Sequence, residues 1–365
     1  MAKKRSARGV SLDAPATFAR VDASNLLGRV ERFGEDLAQG LEASRRQAPS
    51  FRKAGRYVSN VIVAGMGGSA ISGQIVGDAF RDVLPVPFES VMEYKLPAHA
   101  RHETLLIISS YSGETEETLS MMEDGLSRGC RVVGITSGGT VMKRLSDEGH
   151  PVFELPRGIQ PRAAMPFLLA PVVETLERCE LASTRSAADE AIEVCRAVAR
   201  RCGRSRATSR NPAKKIAAGL LGGVPCVYGY GVLRAAAFRW RTQLNENAKV
   251  LAREDIFPGS NHNDINAWGG DPRAKDFRVV LLRDPLGHGR VNRHLELTRR
   301  LAFAGNAGAV LEVKAEGNTA LARALSCVLI GDFASVYLAL RRGVDPTPVD
   351  VIVKLKRELA RPSKA

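Results

Sequence analysis

The sequence predicts an α/β fold of two domains, each built on a doubly wound parallel sheet, and three observations support this. Short apolar runs with β-branched residues alternate with helix-like segments, which is typical of parallel strands buried on both faces. Turns rich in glycine and serine follow several of these runs. The chain has 365 residues, which is long for one core, and a similar order of elements begins again at Val224.

The first half begins with an amphipathic helix, expected over residues 24–47. Five strands are then expected at residues 60–65, 86–91, 105–109, 131–136 and 152–155, with helices beginning near residue 71 and covering residues 114–128. Alternation of this kind forms right-handed crossovers, so the strands should lie in one parallel sheet.

The second half shows the same order after a mostly helical stretch over residues 161–200, so we interpret the chain as a duplicated α/β unit. Strands are expected at 224–230, 277–282 and 309–313, and helices at 232–250, 291–304, 318–341 and 349–359. The apolar run over residues 325–340 contains Asp332, which favours a buried helix over a membrane span. Domain boundaries follow: a disordered basic tail at 1–23, an N-terminal domain at 24–185 and a C-terminal domain at 186–365.

Composition excludes several classes of partner and cofactor. The net charge is +14, yet the basic residues are dispersed and aromatic residues are only 5% of the chain. Nucleic-acid binding is therefore not expected, and neither is membrane insertion, because no uninterrupted apolar run reaches about 20 residues. The six cysteines form no CxxC pair, which fits a reduced cytoplasm, and no zinc motif is present. We expect no metal or other cofactor.

The stretch LLIISSYSGETEETL, residues 105–119, carries the strongest functional signal. A buried strand ends in a turn that holds three hydroxyl side chains and leads into a helix N-terminus, namely those of Ser110, Ser112 and Thr115. A helix cap needs one hydroxyl, whereas free N–H groups, the helix dipole and three hydroxyls together suit a phosphate. Glu114 lies in the same turn, where its charge has to point away from such an anion.

The turn after the first strand, Gly65-Met-Gly-Gly-Ser-Ala, allows two interpretations. It matches the loose GxGxxG/A dinucleotide fingerprint, with Glu89 as the ribose-binding acid. Alternatively, Gly67, Gly68 and Ser69 offer backbone and hydroxyl groups to a sugar monophosphate, which the second hydroxyl turn favours. In a parallel sheet both turns meet at the carboxyl edge, where ligands bind.

Three charged residues are candidates for chemistry. Glu246 lies between two asparagines near a helix end, although its spacing from Lys249 also suits a surface ion pair. His262 lies in an asparagine-rich loop after Phe257-Pro-Gly-Ser, a setting unusual for a core histidine. Arg162 begins a helix between two prolines, where a structural arginine is the default.

Together these residues resemble the bifunctional phosphoglucose/phosphomannose isomerase family, within the larger group of sugar isomerase (SIS) domain proteins. The resemblance covers about residues 25–360 and rests on GMGGS (65–69), SYSGET (110–115), ITSGG (135–139), PRAA (161–164), NENAK (245–249), NHN (261–263) and the closing Leu355-Lys356. It implies two SIS domains, each a flavodoxin-like three-layer sandwich, usually in a homodimer.

The resemblance implies a metal-independent isomerase that interconverts glucose 6-phosphate or mannose 6-phosphate with fructose 6-phosphate through a cis-enediolate. Glu246 is the implied base, Arg162 the enediolate stabiliser, and His262 of the partner subunit assists ring opening. Lys356 contacts the ring oxygens, with Lys354 as the alternative, and Thr347 is the candidate for admitting the mannose epimer. The implied phosphate and sugar contacts come from Gly67, Gly68, Ser69, Ser110, Tyr111, Ser112 and Thr115.

Two other functions compete with this assignment. A catalytically silent SIS-domain sensor would bind the same sugar phosphate and regulate a partner, but such a protein is expected to lack the base. A dinucleotide-dependent oxidoreductase would use the glycine turn, but it has no need of the second hydroxyl turn.

The turn after the strand expected at 131–136 departs from expectation at one position, because Thr140 stands where we expect a basic residue.

Overall fold

A computed structural model of the chain describes residues 10–47, 57–359 and 361. Within these residues nine strands form two sheets, and all neighbouring strands pair in parallel. The first sheet contains β1 (Asn60–Gly65), β2 (Phe88–Val91), β3 (Thr104–Ser109), β4 (Arg131–Thr136) and β5 (Val152–Glu154). The second contains β6 (Val224–Gly229), β7 (Arg253–Ile256), β8 (Phe277–Arg283) and β9 (Ala309–Lys314).

The two sheets share one topology. The first has the order β2-β1-β3-β4-β5 and the second β7-β6-β8-β9, so the second repeats the first four positions of the first. This is the flavodoxin-like doubly wound order, in which the chain reverses its direction of winding between the two central strands. The predicted fold class is confirmed, and the crevice at each reversal is where ligands of such folds bind.

Helices cover both faces of each sheet. Those of the first half are α1 (Pro15–Val21), α2 (Leu26–Glu31), α3 (Phe33–Gln47), α4 (Gly68–Phe80), α5 (Glu116–Ser127), α6 (Gly139–Asp147) and α7 (Met165–Arg178). Those of the second half are α8 (Arg185–Cys202), α9 (Pro212–Leu220), α10 (Arg234–Glu246), α11 (Asp264–Gly270), α12 (Gly289–Thr298), α13 (Ala320–Arg342) and α14 (Asp350–Leu359).

The two domains share one core, because the inner faces of both sheets contribute to a single apolar cluster. Helix α13 lies at its centre and packs against α4, α8, α9 and α10. It is long and apolar enough to cross a bilayer, but its most apolar window is 94% buried inside the fold. The prediction of a buried helix at residues 325–340 is confirmed.

Central strands β1 and β3 are buried at every residue, as expected for strands covered on both faces. Their register pairs Gly65 with Ser109. The turns that follow these two residues therefore start side by side at the carboxyl edge of the first sheet.

Three expectations need correction. Residues 10–23 are not a disordered tail: α1 lies there, Leu12 and Phe18 are buried, and the Leu12 carbonyl accepts a hydrogen bond from Lys214 Nζ at 2.8 Å. Residues 1–9 lie outside the described residues. The helix expected over 24–47 is divided at Arg32. Strand β7 was not predicted, because its Arg-Glu-Asp-Ile sequence has the polarity of an edge strand.

Candidate active site

The turn after β3 gathers hydroxyl groups at the start of α5. Thr115 is the N-cap of this helix, and its Oγ1 lies 3.2 Å from Ser110 Oγ. Ser110 is buried and Thr115 partly buried, whereas Ser112 is exposed and its Oγ accepts the Glu114 N–H at 3.2 Å. The unpaired N–H groups of the first helical turn lie at the same place. The arrangement suits an anion with several oxygens, such as phosphate.

The third turn, after β4, supports this hydroxyl turn. Gly113 has a φ of +73° and lies so close to the Gly138 carbonyl that a side chain there would collide with it. Glu114 points toward α6, where its carboxylate accepts the Thr140 N–H at 2.7 Å and the Thr140 hydroxyl at 2.9 Å. Thr140, which stands where a basic residue was expected, thus binds the Glu114 carboxylate and holds it away from the hydroxyl turn.

Tyr111 is engaged by the protein itself. Its hydroxyl donates to the Pro156 carbonyl at 2.7 Å and accepts the Ile159 N–H at 2.8 Å. Burial raises the pKa of this phenol, an effect that the Ile159 hydrogen bond opposes. The side chain therefore ties the hydroxyl turn to the segment that leads toward Arg162.

The glycine turn after β1 approaches Arg162 directly. Gly67 has a φ of +53°, a conformation that favours glycine. At Gly68, where α4 begins, a Cβ would lie 3.3 Å from the Pro161 carbonyl. Ser69 is buried beside them at 5% exposure. The structure thus brings the glycine turn and the Pro161–Arg162 segment together.

Arg162 and Glu246 form the charged centre of the site. The Arg162 Nη1 lies 3.6 Å from Glu246 Oε2, and the arginine side chain is 8% exposed against 31% for the glutamate. Glu246 is the last residue of α10, so the end of this helix meets the carboxyl edge of the first sheet. Burial lowers the pKa of Arg162 and Glu246 opposes this effect, but a guanidinium keeps its charge at neutral pH.

Buried polar groups determine the orientation of Arg162. Its Nε donates to Asn247 Oδ1 at 2.7 Å, and Asn247 in turn donates to Ser335 Oγ at 2.9 Å. Arg239 donates to the Arg162 carbonyl at 3.0 Å and forms a buried ion pair with Asp332 at 2.7 Å. Because Asn247 and Arg239 are themselves held by Ser335 and Asp332, Arg162 has little freedom to move.

The segment before α14 covers the same arginine. Arg162 Nη2 donates to the carbonyls of Pro346 at 2.6 Å and Thr347 at 2.9 Å. Lys249 donates to the Pro346 carbonyl at 3.2 Å and to the Glu246 carbonyl. Lys249 thus pairs with backbone and not with the Glu246 carboxylate, contrary to the surface ion pair that its spacing allows. Burial, and then the nearby Arg162, lower the pKa of Lys249.

Two predicted site residues lie apart from this centre in the single chain. Among the described residues, the His262 side chain has no hydrogen bond or ion pair, and it is exposed. Lys356 lies on α14, a helix exposed along its whole length. Neither residue contacts Glu246 or Arg162 within the chain.

Several contacts of Arg162 were not predicted from the sequence, namely those with backbone carbonyls and those with buried side chains. The carbonyl contacts of Pro346 and Thr347 leave no signal in the side-chain pattern. Asn247 did show a signal in the sequence, because an asparagine beside Glu246 is unusual on a solvated face. No local feature of Arg239 or Asp332 connects them with Arg162, which is distant in sequence.

Comparison with known proteins places the chain in a family. The model of the bacterial phospho-glucose isomerase C-terminal SIS domain matches residues 209–359. The bifunctional phosphoglucose/phosphomannose isomerase of Caldicellulosiruptor bescii is 33% identical over 306 residues, which are 83% of this chain and 90% of the relative. That of Thermoplasma volcanium is 34% identical over 332 residues, which are 90% of this chain and 100% of the relative.

A solved structure supports the fold independently. The tagatose-6-phosphate ketose/aldose isomerase from Escherichia coli superposes with a TM-score of 0.69 at 18% identity, covering 89% of this chain and 95% of its own. At this identity the similarity concerns the fold alone. On the strength of the two sequence relatives, the chain belongs to the bifunctional phosphoglucose/phosphomannose isomerase family.

Proposed function

We propose that the protein interconverts glucose 6-phosphate and mannose 6-phosphate with fructose 6-phosphate by a metal-independent proton transfer. The observation that carries the proposal is the Arg162–Glu246 pair, 3.6 Å apart, next to the glycine turn, which itself adjoins the hydroxyl turn. A carboxylate beside a permanently charged cation is what isomerisation requires: a base for a carbon-bound proton and a counter-charge for the resulting oxyanion.

The hydroxyl turn holds the phosphate end of the substrate. Ser110, Ser112 and Thr115 donate to the phosphate oxygens, together with the N–H groups at the start of α5. Backbone groups of Gly67 and Gly68, and the Ser69 hydroxyl, contact the sugar. Anchoring a remote group in this way keeps the reacting carbons at the base and reduces the entropic part of the barrier.

Glu246 carries the proton between neighbouring carbons. From an open-chain aldose it removes the C2 proton, the electrons of that bond form a C1–C2 double bond, and negative charge develops on the carbonyl oxygen. Arg162 stabilises this cis-enediolate. Glu246 then returns the proton to C1, and transfer of the hydroxyl proton from O2 to O1 completes the ketose. Glu246, which α10 holds beside Arg162, would be the base that a silent sensor lacks.

A homodimer completes the site in this proposal. His262 of one subunit reaches the substrate of the other and assists ring opening, which its exposure in the single chain permits. Helix α14 carries Lys356 or Lys354 toward the ring oxygens. The contact with the second copy comes from apolar side chains exposed along α14, which are Val351, Ile352, Val353, Leu355 and Leu359.

Thr347 is the residue we assign to admission of the mannose epimer. Its carbonyl accepts from Arg162, and its Oγ1 is buried without a hydrogen-bond partner among the described residues. A hydroxyl without a partner, on a residue that contacts Arg162, can form a hydrogen bond with a sugar oxygen.

We place the reaction in the cytoplasm, where it would serve glycolysis and gluconeogenesis. All six cysteines lie among the described residues, where they are free and buried, and they would persist as thiols in a reducing compartment.

Replacing the base tests the proposal. Glu246→Gln should lower kcat about 10³-fold, in the range expected for loss of a general base, while the dissociation constant for fructose 6-phosphate changes little. The matched control is Glu312→Gln on β9, which removes a surface carboxylate that pairs with Arg283. Coupled assays with each hexose 6-phosphate, with and without EDTA, measure both. Turnover that survives Glu246→Gln, or that EDTA abolishes, would contradict the mechanism.

A further inference from the structure

His262 lies in a loop that is anchored on both sides although its own ring is free. The loop forms a single 3-10 turn, Gly259–His262, and leads into α11. An exposed ring on a short turn samples several positions unless its neighbours are held. The hydrogen bonds of the flanking residues therefore decide where the ring points.

Asp264 anchors the loop from the C-terminal side. Its Oδ1 accepts from Arg253 Nη2 at 2.7 Å, and its Oδ2 accepts from Trp268 Nε1 at 2.9 Å and from the Tyr228 hydroxyl. Tyr228 is fully buried, and Trp268 is 5% exposed. The Asp264 carboxylate is 9% exposed and receives donors from two different strands and its own helix.

Asn261 anchors the loop from the N-terminal side. Its Nδ2 donates to the buried Thr298 Oγ1 at 2.5 Å, and its Oδ1 lies 3.1 Å from His294 Nδ1. Both partners belong to α12. The residue before His262 and the second residue after it are thus attached to separate elements of the C-terminal domain.

We propose that Asp264 and Asn261 are positioning residues that hold the His262 ring in place for the partner subunit's substrate. The inference rests on the proposed role of His262 and extends it to residues that touch no substrate. It predicts that their removal acts only through His262.

Helix capping does not explain why Asp264 is present. Asn263 is the N-cap of α11, and its side chain already accepts the Asp264 N–H at 2.5 Å. Burial raises the pKa of Asp264, but the hydrogen bonds from Tyr228, Trp268 and Arg253 outweigh burial and lower it, so the group is charged at neutral pH. A buried carboxylate with three donors and no direct chemistry is explained by the loop that it immobilises.

A double-mutant cycle tests the inference. The variants are Asp264→Asn, Asn261→Ala, His262→Ala and both combinations with His262→Ala. An amide at position 264 places an NH2 group among donors, so at least one hydrogen bond is lost. The matched control is Asp271→Asn, at the other end of α11, where the carboxylate is partly exposed and pairs with Arg273.

The expected result has three parts. Asp264→Asn and Asn261→Ala each lower kcat about tenfold, because a misplaced group loses much of its effect, and KM stays within about twofold. In the His262→Ala background neither substitution lowers kcat further. Hydrogen exchange at residues 259–263 accelerates in both variants but not in Asp271→Asn, and this readout does not depend on activity.

Two kinds of result would overturn the positioning role, and a third would refute the proposed function. Additive losses of kcat, or an unchanged kcat in both single variants, overturn the positioning role even though the isomerase is active. Unchanged exchange at residues 259–263 overturns it as well. A wild-type protein inactive on every hexose 6-phosphate refutes the proposed function instead, and accelerated exchange would then leave only the anchoring of the loop.

Discussion

The two sheets share one strand order but differ at the crevice where each reverses its winding. In the first sheet this point is bordered by the glycine turn and the hydroxyl turn. In the second, Tyr230 follows β6 and fills the equivalent position. Its hydroxyl accepts the Asp284 N–H at 2.9 Å, and the Asp284 carbonyl and Asn292 Oδ1 lie within reach of its one proton. Tyr230 is 3% exposed, and Asp284 forms an ion pair with Arg323 at 2.9 Å.

The two copies of the duplicated fold therefore differ in what they contribute to the candidate site. In the first domain, hydroxyl groups of the turn after β3 lie at this crevice. The second closes its own crevice with a tyrosine and contributes from elsewhere, through Glu246 at the C-terminal end of α10. In the proposed mechanism, the edge of the first sheet binds the substrate and the second domain supplies the base.

The largest effect is expected where the two domains meet. Arg162→Lys should lower kcat about 10³-fold, at the upper end of the loss expected when one oxyanion stabiliser is removed. A lysine cannot reach Asn247, Pro346, Thr347 and Glu246 at once. Arg178→Lys on α7, whose arginine pairs with Glu174, is the control. Steady-state kinetics compare the two, and equal activities would show that the junction does not carry the chemistry.

Binding at the first crevice is tested next. Ser112→Ala combined with Thr115→Ala should raise KM by at least about 100-fold, because hydrogen bonds to a charged group contribute about 1.5–3 kcal/mol each. Ser120→Ala with Ser127→Ala removes two exposed hydroxyls from the same helix, α5, and should leave KM unchanged. An unchanged KM in the first pair would mean that the phosphate binds elsewhere.

Features that depend on residues close together in the sequence were predicted better than features that depend on distant residues. The buried strands β1 and β3 were predictable because their central residues, 61–64 and 105–108, are all apolar, as strands covered on both faces require. The hydroxyl turn was predictable because its parts are contiguous. Strand β7 was not, since Arg253, Glu254 and Asp255 give an edge strand the appearance of a loop.

The contacts within the candidate site could not be predicted from the sequence. Local spacing suggested Lys249 as the partner of Glu246, because residues three apart share a helix face. The fold instead brings Arg162 to that carboxylate from the other domain and turns Lys249 to the Pro346 carbonyl. Contacts between distant segments override helical spacing, and a single sequence contains no measure of them.

The closed crevice of the second sheet gives a prediction about stability instead of kinetics. Tyr230→Phe should lower the free energy of unfolding by about 1–3 kcal/mol, because the buried Asp284 N–H loses the hydroxyl that accepts from it. The Asp284 carbonyl keeps Asn292 Nδ2 as a donor at 3.1 Å. KM and kcat should remain those of the wild type. Urea denaturation and the coupled assay measure the two quantities. A raised KM would indicate that the second crevice also takes part in binding.

The smallest expected effect concerns the acid beside the hydroxyl turn. Glu114→Gln keeps an oxygen that can accept the Thr140 N–H but removes a charge near the N-terminus of α6, so stability should fall by about 0.3–1 kcal/mol. The same charge repels a phosphate across solvent, an interaction of about 1 kcal/mol or less at such separations. KM should therefore fall about twofold while stability also falls. These opposite consequences for binding and stability separate the two roles of the carboxylate, whereas a rise in KM would show that Glu114 shapes the hydroxyl turn more than it repels the ligand.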